Sequence, residues 1–352
     1  MAGVATIQDV ARLASVSSAT VSRTLNNADT VDPVLAERVR EAAALLRYRP
    51  NRAARSLRRR RADVWALIIS DIGNPFFNAL ARGVEDVAQR AGYSVLLCNS
   101  DEDPAKEARY IDVAEREQVS GVVVSPNVRG SDISSLQAAG IPVVAVDRPL
   151  SVDVDCVVVR SREGARLATR HLAEQGWGRP ACITGPERAA TAQQRLGGYL
   201  DGAREALPRL RTDLVRHADY RAAGGRAAVA DLLSSPHPPD SFLVANALMA
   251  LGVIEEFEER GLRPGTDVGL VAFDDAPWAR FMSPPMSVVA QPAYQIGVEA
   301  AEMVLSRSSG EIAAAARLVE LDTTLVVRAS SRRAQQPVQH PPRRRVTSVR
   351  RS

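Results

Sequence analysis

Apolar residues at Ile7, Val10, Ala11 and Ala14 recur at the three- and four-residue spacing of a helix face. A tight turn at Val16 follows. Ser17 is a suitable N-cap for a second short helix whose inward positions are Val21 and Leu25. Two short helices crossing over a three- or four-residue turn form a helix-turn-helix, and the second helix of such a pair suits the DNA major groove. A third helix is predicted from Asp32 as cap and Pro33 in its first turn, with Val39, Ala43 and Leu46 inside and Tyr48 and Pro50 at its end. The plainer alternative for this pattern is a solvated helical bundle.

From residue 64 the pattern changes to short apolar runs alternating with amphipathic ones. Strands are predicted over 64–70, 93–98, 121–125 and 142–146, with helices over 76–90 and 104–117. The rhythm restarts after Val159, with helices over 164–175, 193–206 and 248–260 and strands over 180–184, 242–244 and 268–272. Strand–helix alternation predicts doubly wound parallel sheets. The expected fold is therefore a small all-α helix-turn-helix head (1–50), a linker (51–61) and an α/β body (62–331) of two lobes in succession. Ligands in such folds bind beyond the carboxyl ends of the strands.

Charge divides the chain in the same places. Residues 1–61 hold twelve arginines, no lysine and five acidic residues, while the body holds ten more acidic than basic residues. Residues 332–352 hold seven arginines, no acid and three prolines, and read as a disordered tail. Nucleic acid should therefore be drawn to the two ends and not to the middle. The four-arginine run 58–61 adds to non-specific DNA affinity.

Other classes are disfavoured. Cys98, Cys156 and Cys182 are far apart in apolar runs, and the four histidines lack metal-ligand spacing, so neither a disulfide framework nor a metal site is expected. No cofactor motif is seen. No apolar run approaches the ~20 residues that span a bilayer, and no signal peptide opens the chain, so a cytoplasmic protein without a membrane partner is expected.

Several motifs then stand in a characteristic order. The head carries TIQDVA, VSxxTVSRTLN and YRPNxxARSL. The body carries NPFF at 74–77, DRP at 147–149, TAxxRLxGY at 191–199, LVAN…MALG at 243–252, FDD at 273–275 and TTLVVRAS at 323–330. Over nearly its whole length the sequence resembles the LacI/GalR (lactose-repressor) family, homodimeric transcription regulators with a body like periplasmic sugar-binding proteins. The resemblance implies DNA contacts from Thr6, Ser17, Ser18, Ala19, Thr20, Ser22, Arg23 and Asn26. Ser18 and Ala19 match variable base-reading positions, and Thr20, Ser22 and Asn26 match positions that touch phosphate or brace the helix. Arg23 matches a base-contacting arginine, suited to guanine O6 and N7. Asn51, Arg52, Ala54 and Leu57 match the hinge helix, where the leucine wedges into the minor groove. Ser15 departs from the usual turn glycine.

In the body the resemblance implies an effector cleft of Asp71, Asn74, Phe76, Phe77, Arg148, Arg195, Tyr220, Asn246, Asp274 and Gln291, with Asp147 as a brace. Carboxylate, guanidinium and amide groups suit a polyol's hydroxyls, and the aromatic rings suit the apolar face of a sugar. Ala247 stands where many members have aspartate. Two of these residues, Phe76 and Phe77, can equally be plain core. The expected function is a homodimeric regulator, most often a repressor, bound to a pseudo-palindromic double-stranded operator and controlled by a small polar effector such as a sugar. The rivals are an effector-independent DNA-binding regulator, a solute-binding protein and an enzyme. No nucleophile–base constellation or phosphate-binding loop supports the last.

Overall fold

The computed structural model describes residues 5–25, 31–46, 48, 62–127, 130–207, 212–308 and 315–334. The chain divides into two compact units, Met1–Ala62 and Asp63–Ser352.

In the first unit, helices α1 (Ile7–Ala14), α2 (Ser18–Leu25) and α3 (Pro33–Leu45) enclose a small core of Val10, Ala11, Ala14, Val21, Val39, Ala42 and Ala43. Most of the predicted stripe positions form this core, and Ile7, Leu25 and Leu46 pack half-buried against it. Its ends are fixed by side chains. Thr6 and Asp9 make a reciprocal capping box on α1, and Asp32 accepts from Val34 and Leu35 at the start of α3. Arg38 Nη2 donates to Ala14 O at 2.6 Å, tying α3 to the end of α1. Ser15 ends α1 in the left-handed region, with φ 53° and ψ 47°. A Cβ there costs roughly 1 kcal/mol relative to glycine.

The second unit has two α/β lobes, each built on a six-stranded sheet. The strands of the first are β1 (Ala62–Ile69), β2 (Ser94–Asn99), β3 (Val119–Val124), β4 (Val143–Val146), β5 (Asp155–Val159) and β11 (Leu318–Leu321), in the order β11-β5-β4-β3-β1-β2. Helices α4 (Pro75–Arg90) and α11 (Ala293–Ser308) pack on one face, and α5 (Pro104–Arg116) and α6 (Ser134–Ala138) on the other. β3 is buried at all six positions, as expected of a parallel strand covered on both faces.

The second lobe contains β6 (Pro180–Thr184), β7 (Val215–His217), β8 (Ser241–Val244), β9 (Gly269–Phe273), β10 (Ser287–Ala290) and β12 (Thr324–Val326), in the order β12-β10-β9-β8-β6-β7. Its helices are α7 (Ser161–Glu174) and α8 (Ala190–Ala206) on one face, and α9 (Ala222–Leu233) and α10 (Ala247–Glu259) on the other. β12 alone among the described pairings runs antiparallel, against β10.

Two expectations need correction. The lobes do not follow one another along the chain. After β10 the chain returns to the first lobe for α11 and β11, then crosses back for β12. Three crossings, near residues 160, 291 and 322, therefore join the lobes. The reason is packing: α11 covers the sheet face beside α4 at backbone contact distance. A Cβ on Gly83 would lie 2.2 Å from Tyr294 O, and one on Gly297 would lie 2.1 Å from Leu80 O. The body also runs past Ser331 to at least Ala334. Trp177 Nε1 donates to Ser331 O at 2.8 Å, the Arg333 guanidinium lies 4.7 Å from the Trp177 ring centroid, and Ala334 N donates to Gly265 O. The stacking of Arg333 and the main-chain bond of Ala334 hold this stretch, whose one apolar side chain is a methyl group.

Candidate functional site

Ser17 builds the start of α2. Its Oγ accepts from Thr20 N at 3.1 Å and lies 2.9 Å from Thr20 Oγ1. Val21 and Thr24 face the core, which leaves Ser18, Ala19 and Arg23 exposed on the outer face and Thr20 and Ser22 half-buried at its edges. Thr6 is occupied as the cap of α1. Seven of the expected DNA-contacting residues thus sit on or beside α2 and the α1 cap. Asn26, Asn51, Arg52, Ala54 and Leu57 lie outside the described residues.

A cleft opens between the two lobes at the carboxyl ends of the strands, the placement expected of doubly wound sheets. Asp71 follows β1, Asp147 and Arg148 follow β4, Asp274 follows β9 and Gln291 follows β10. All ten expected effector residues line this one cleft, together with the expected brace Asp147.

The polar side chains are largely engaged with one another. Arg148 makes a two-pronged ion pair with Glu102, at 2.6 and 3.0 Å, and donates from Nη1 to Pro126 O at 3.1 Å. Across the cleft, Arg195 donates to Ala245 O at 2.5 Å and to Gln291 Oε1 at 3.4 Å, with its guanidinium 4.4 Å from the Phe273 ring centroid. Gln291 Nε2 donates to Asp274 Oδ1 at 2.5 Å, and Ala247 N donates to Asp274 Oδ2 at 3.3 Å. Burial pushes the Asp147 and Asp274 carboxyls above the usual range, against the pull of Arg148 and Arg195.

The two asparagines double as helix caps. Asn74 Oδ1 accepts from Phe76 N at 3.0 Å at the start of α4. Asn246 Oδ1 accepts from Met249 N at 2.8 Å, and its Nδ2 donates to Tyr220 O at 2.9 Å. The Asn246 amide is thus held at both ends, with one N–H and one oxygen lone pair left over. Phe76 and Phe77, read both as cleft and as core, are both: they are buried in the first lobe's core, meet edge to face at 5.0 Å, and line the cleft. Tyr220, at φ 64°, fills the space over Gly185 and places its hydroxyl 2.9 Å from Thr191 Oγ1.

Six lining residues were not anticipated: Ser70, Glu102, Thr191, Asp219, Arg221 and Leu248. The rule that ligands gather at strand carboxyl ends points to three of them. Ser70 follows β1, Glu102 lies just past β2, and Asp219 just past β7. Glu102 matters most, because it engages the guanidinium that the sequence reading assigned to the ligand.

Two family models match the chain. Residues 6–51 match bacterial regulatory proteins of the lacI family, and residues 62–318 match the periplasmic binding proteins and sugar binding domain of the LacI family. The chain belongs to the LacI family. It is similar to the ribose operon repressor of Halalkalibacterium halodurans, 34% identical over 327 residues, covering 93% of this chain and 97% of that one. Among solved structures it resembles the lac repressor dimer bound to operator and the anti-inducer ONPF, at 26% identity and TM-score 0.80, covering 94% and 99% of the two chains. It also resembles a complex of the transcriptional regulator CelR with cellobiose, at 31% identity and TM-score 0.69, covering 93% and 99%. As a LacI-family member the chain is a DNA-binding transcriptional regulator. No helix among its described residues is long and apolar enough to cross a membrane.

Proposed function

We propose that this regulator is a homodimeric operator-binding repressor whose DNA affinity is set by a sugar held between the two lobes of its body. The observation that carries the reading is one interlobe cleft lined by Arg148, Arg195, Asp274 and Gln291 together with Phe76, Phe77 and Tyr220. Hydrogen-bonding groups and aromatic faces of this kind are what a pyranose or furanose ring requires. The relatives add support, since one is named for the ribose operon and another is complexed with cellobiose.

The exposed outer face of α2 would read the operator, with Arg23 on base edges and Ser18 and Ala19 setting the neighbouring preference. Ala19 has no hydrogen-bonding group and recognises by fit, for example against a thymine methyl. The segment 51–61 would order in the minor groove with Leu57 as the wedge. Closure of the lobes on the sugar would bias that ordering, so effector and operator are coupled through one two-state dimer. The basic tail would add salt-sensitive, sequence-neutral affinity.

The test is titration of a selected pseudo-palindromic duplex with and without D-ribose, using fluorescence anisotropy. A change of at least about tenfold in operator Kd is the expected coupling. An unchanged Kd at a sugar concentration that saturates the body would eliminate it and favour an effector-independent regulator.

A further inference from the structure

A second pocket, of about 460 Å³, lies between the lobes on the flank of α7 and α8. It meets the effector cleft at Asp147 and Thr191, which line both.

Its shape follows from how the two helices pack. A Cβ on Gly198 would lie 2.0 Å from Arg162 O, and one on Gly202 would lie 2.5 Å from Arg166 O. The helices therefore run side by side in the same direction. Gly198 is the ninth residue of α8 and Arg162 the second of α7, so α8 starts about seven residues, roughly 10 Å, ahead of α7. Its first turns extend past the start of α7 and wall the pocket with Thr191 and Gln194. The floor comes from the first lobe, where β11 runs parallel to β5 with Glu320 beside Val158. Leu318 shares its face of the strand with Glu320, is exposed, and also lines the pocket.

α7 starts without a side-chain cap, so its first amides are unused by any side chain. Ser161, the first residue of α7, lines the pocket and is 2% exposed, and its Oγ is buried with no hydrogen-bond partner. A hydroxyl and main-chain amides at a helix start suit a carboxylate. The other charges of the lining cancel in pairs. Arg162 holds Asp201 at 2.7 Å, Arg166 holds Glu163 at 2.6 Å, and Arg160 meets Asp322 at 3.1 Å. Asp147 lies 3.4 Å from Arg148 Nε. Glu320 is left as the lining carboxylate without an ion-pair partner among the described residues.

We infer that this pocket is a second ligand site and that it takes a zwitterionic amino acid with an aliphatic side chain. The ligand's carboxylate meets the Ser161 hydroxyl and the α7 amides, its ammonium meets Glu320, and its side chain lies on Leu318, Val158 and Pro149. A phosphate or a simple carboxylate would bring negative charge towards Glu320 with no ammonium to offset it. A ligand held here touches both lobes, so its binding is linked to the angle between them. The inference does not rest on the sugar reading.

The experiment is calorimetric titration of the full chain with L-alanine, L-valine, L-leucine and L-methionine, each beside the matching acid without the ammonium and the matching amide without the carboxylate. At least one amino acid should bind, and its two analogues should each bind at least about tenfold more weakly. Equal binding of either analogue, or no binding by any of the amino acids, overturns the inference. Ser161→Ala and Glu320→Gln remove groups that hold nothing else in the fold. Both variants should melt like the parent and lose at least about tenfold in amino-acid affinity. Undiminished affinity in either one overturns the assignment. Asp274→Ala, in the effector cleft, should leave amino-acid binding intact. Loss of binding there would put the ligand in the effector cleft and overturn the second site, while sugar titrations of the same variant judge the sugar reading separately.

Discussion

The head and the cleft solve recognition in opposite ways. On α2 the candidate base-reading side chains are consecutive or nearly so, exposed, and free of the core that holds the helix. In the cleft the candidate ligand-reading side chains come from many separate segments of the chain and are bonded to one another, with Arg195 4% exposed and Asp274 6% exposed. A head residue can change without disturbing its neighbours, which suits a surface that must track operator sequence. A cleft residue cannot, because each polar group also satisfies another.

The largest expected effect tests that interlocking. Asp274→Ala removes the acceptor for both Gln291 and the Ala247 amide. Calorimetry should show effector affinity falling by roughly a hundredfold or more, as when one partner of a buried charged network is removed. Operator affinity without effector should hold. Unchanged sugar binding would break the comparison on the cleft side.

Next in size is Gly297→Ala, far from any ligand. Its Cβ would meet Leu80 O at 2.1 Å, pushing α11 off α4, the helix that presents Phe76 and Phe77. Overpacking of this kind costs about 1–3 kcal/mol. Thermal unfolding of the body and effector affinity should both drop. A loss of stability with full sugar affinity would show that the cleft is less dependent on its scaffold than argued.

Arg23→Ala should leave the melting of the head unchanged, since the side chain is exposed. It should weaken the selected operator by about 1–3 kcal/mol and relax preference at one base pair, read by binding to a panel of single-base variants. Equal weakening on every duplex would mean that Arg23 touches only phosphate. The smallest effect belongs to Ser15→Gly, which relieves the left-handed turn at φ 53°. Head stability should rise by about 1 kcal/mol with no change in effector affinity. A fall in stability would mean that the serine is favoured there for a reason other than backbone geometry.

Much of the fold was legible where structure is local. The Asp-Pro and Asn-Pro starts at 32–33, 74–75 and 103–104 mark three helix N-termini, because the side chain caps and the proline lacks the amide that would need a partner. Some elements went unassigned because their local signals are weak, whereas β5 went unassigned despite its Val-Val-Val run. β7 and β12 have three residues each, and α9 begins with Ala-Ala-Gly-Gly, which disfavours helix. Residues 287–326 also carried no assigned element, although α11 is long.

By itself the sequence determined the helix-turn-helix and the strand–helix alternation, which follow from periodicity and capping, properties of short stretches. Motif order carried the family resemblance, and the resemblance in turn named the ten residues that line the cleft. Only the tertiary structure decided that the chain returns to the first lobe for α11 and β11, since that depends on glycine contacts between residues more than two hundred positions apart. It alone paired Arg148 with Glu102 and closed Asn246 on Met249 and Tyr220. Whether a buried polar group is available to a ligand depends on which partners the fold brings within hydrogen-bonding distance, and no local pattern encodes that.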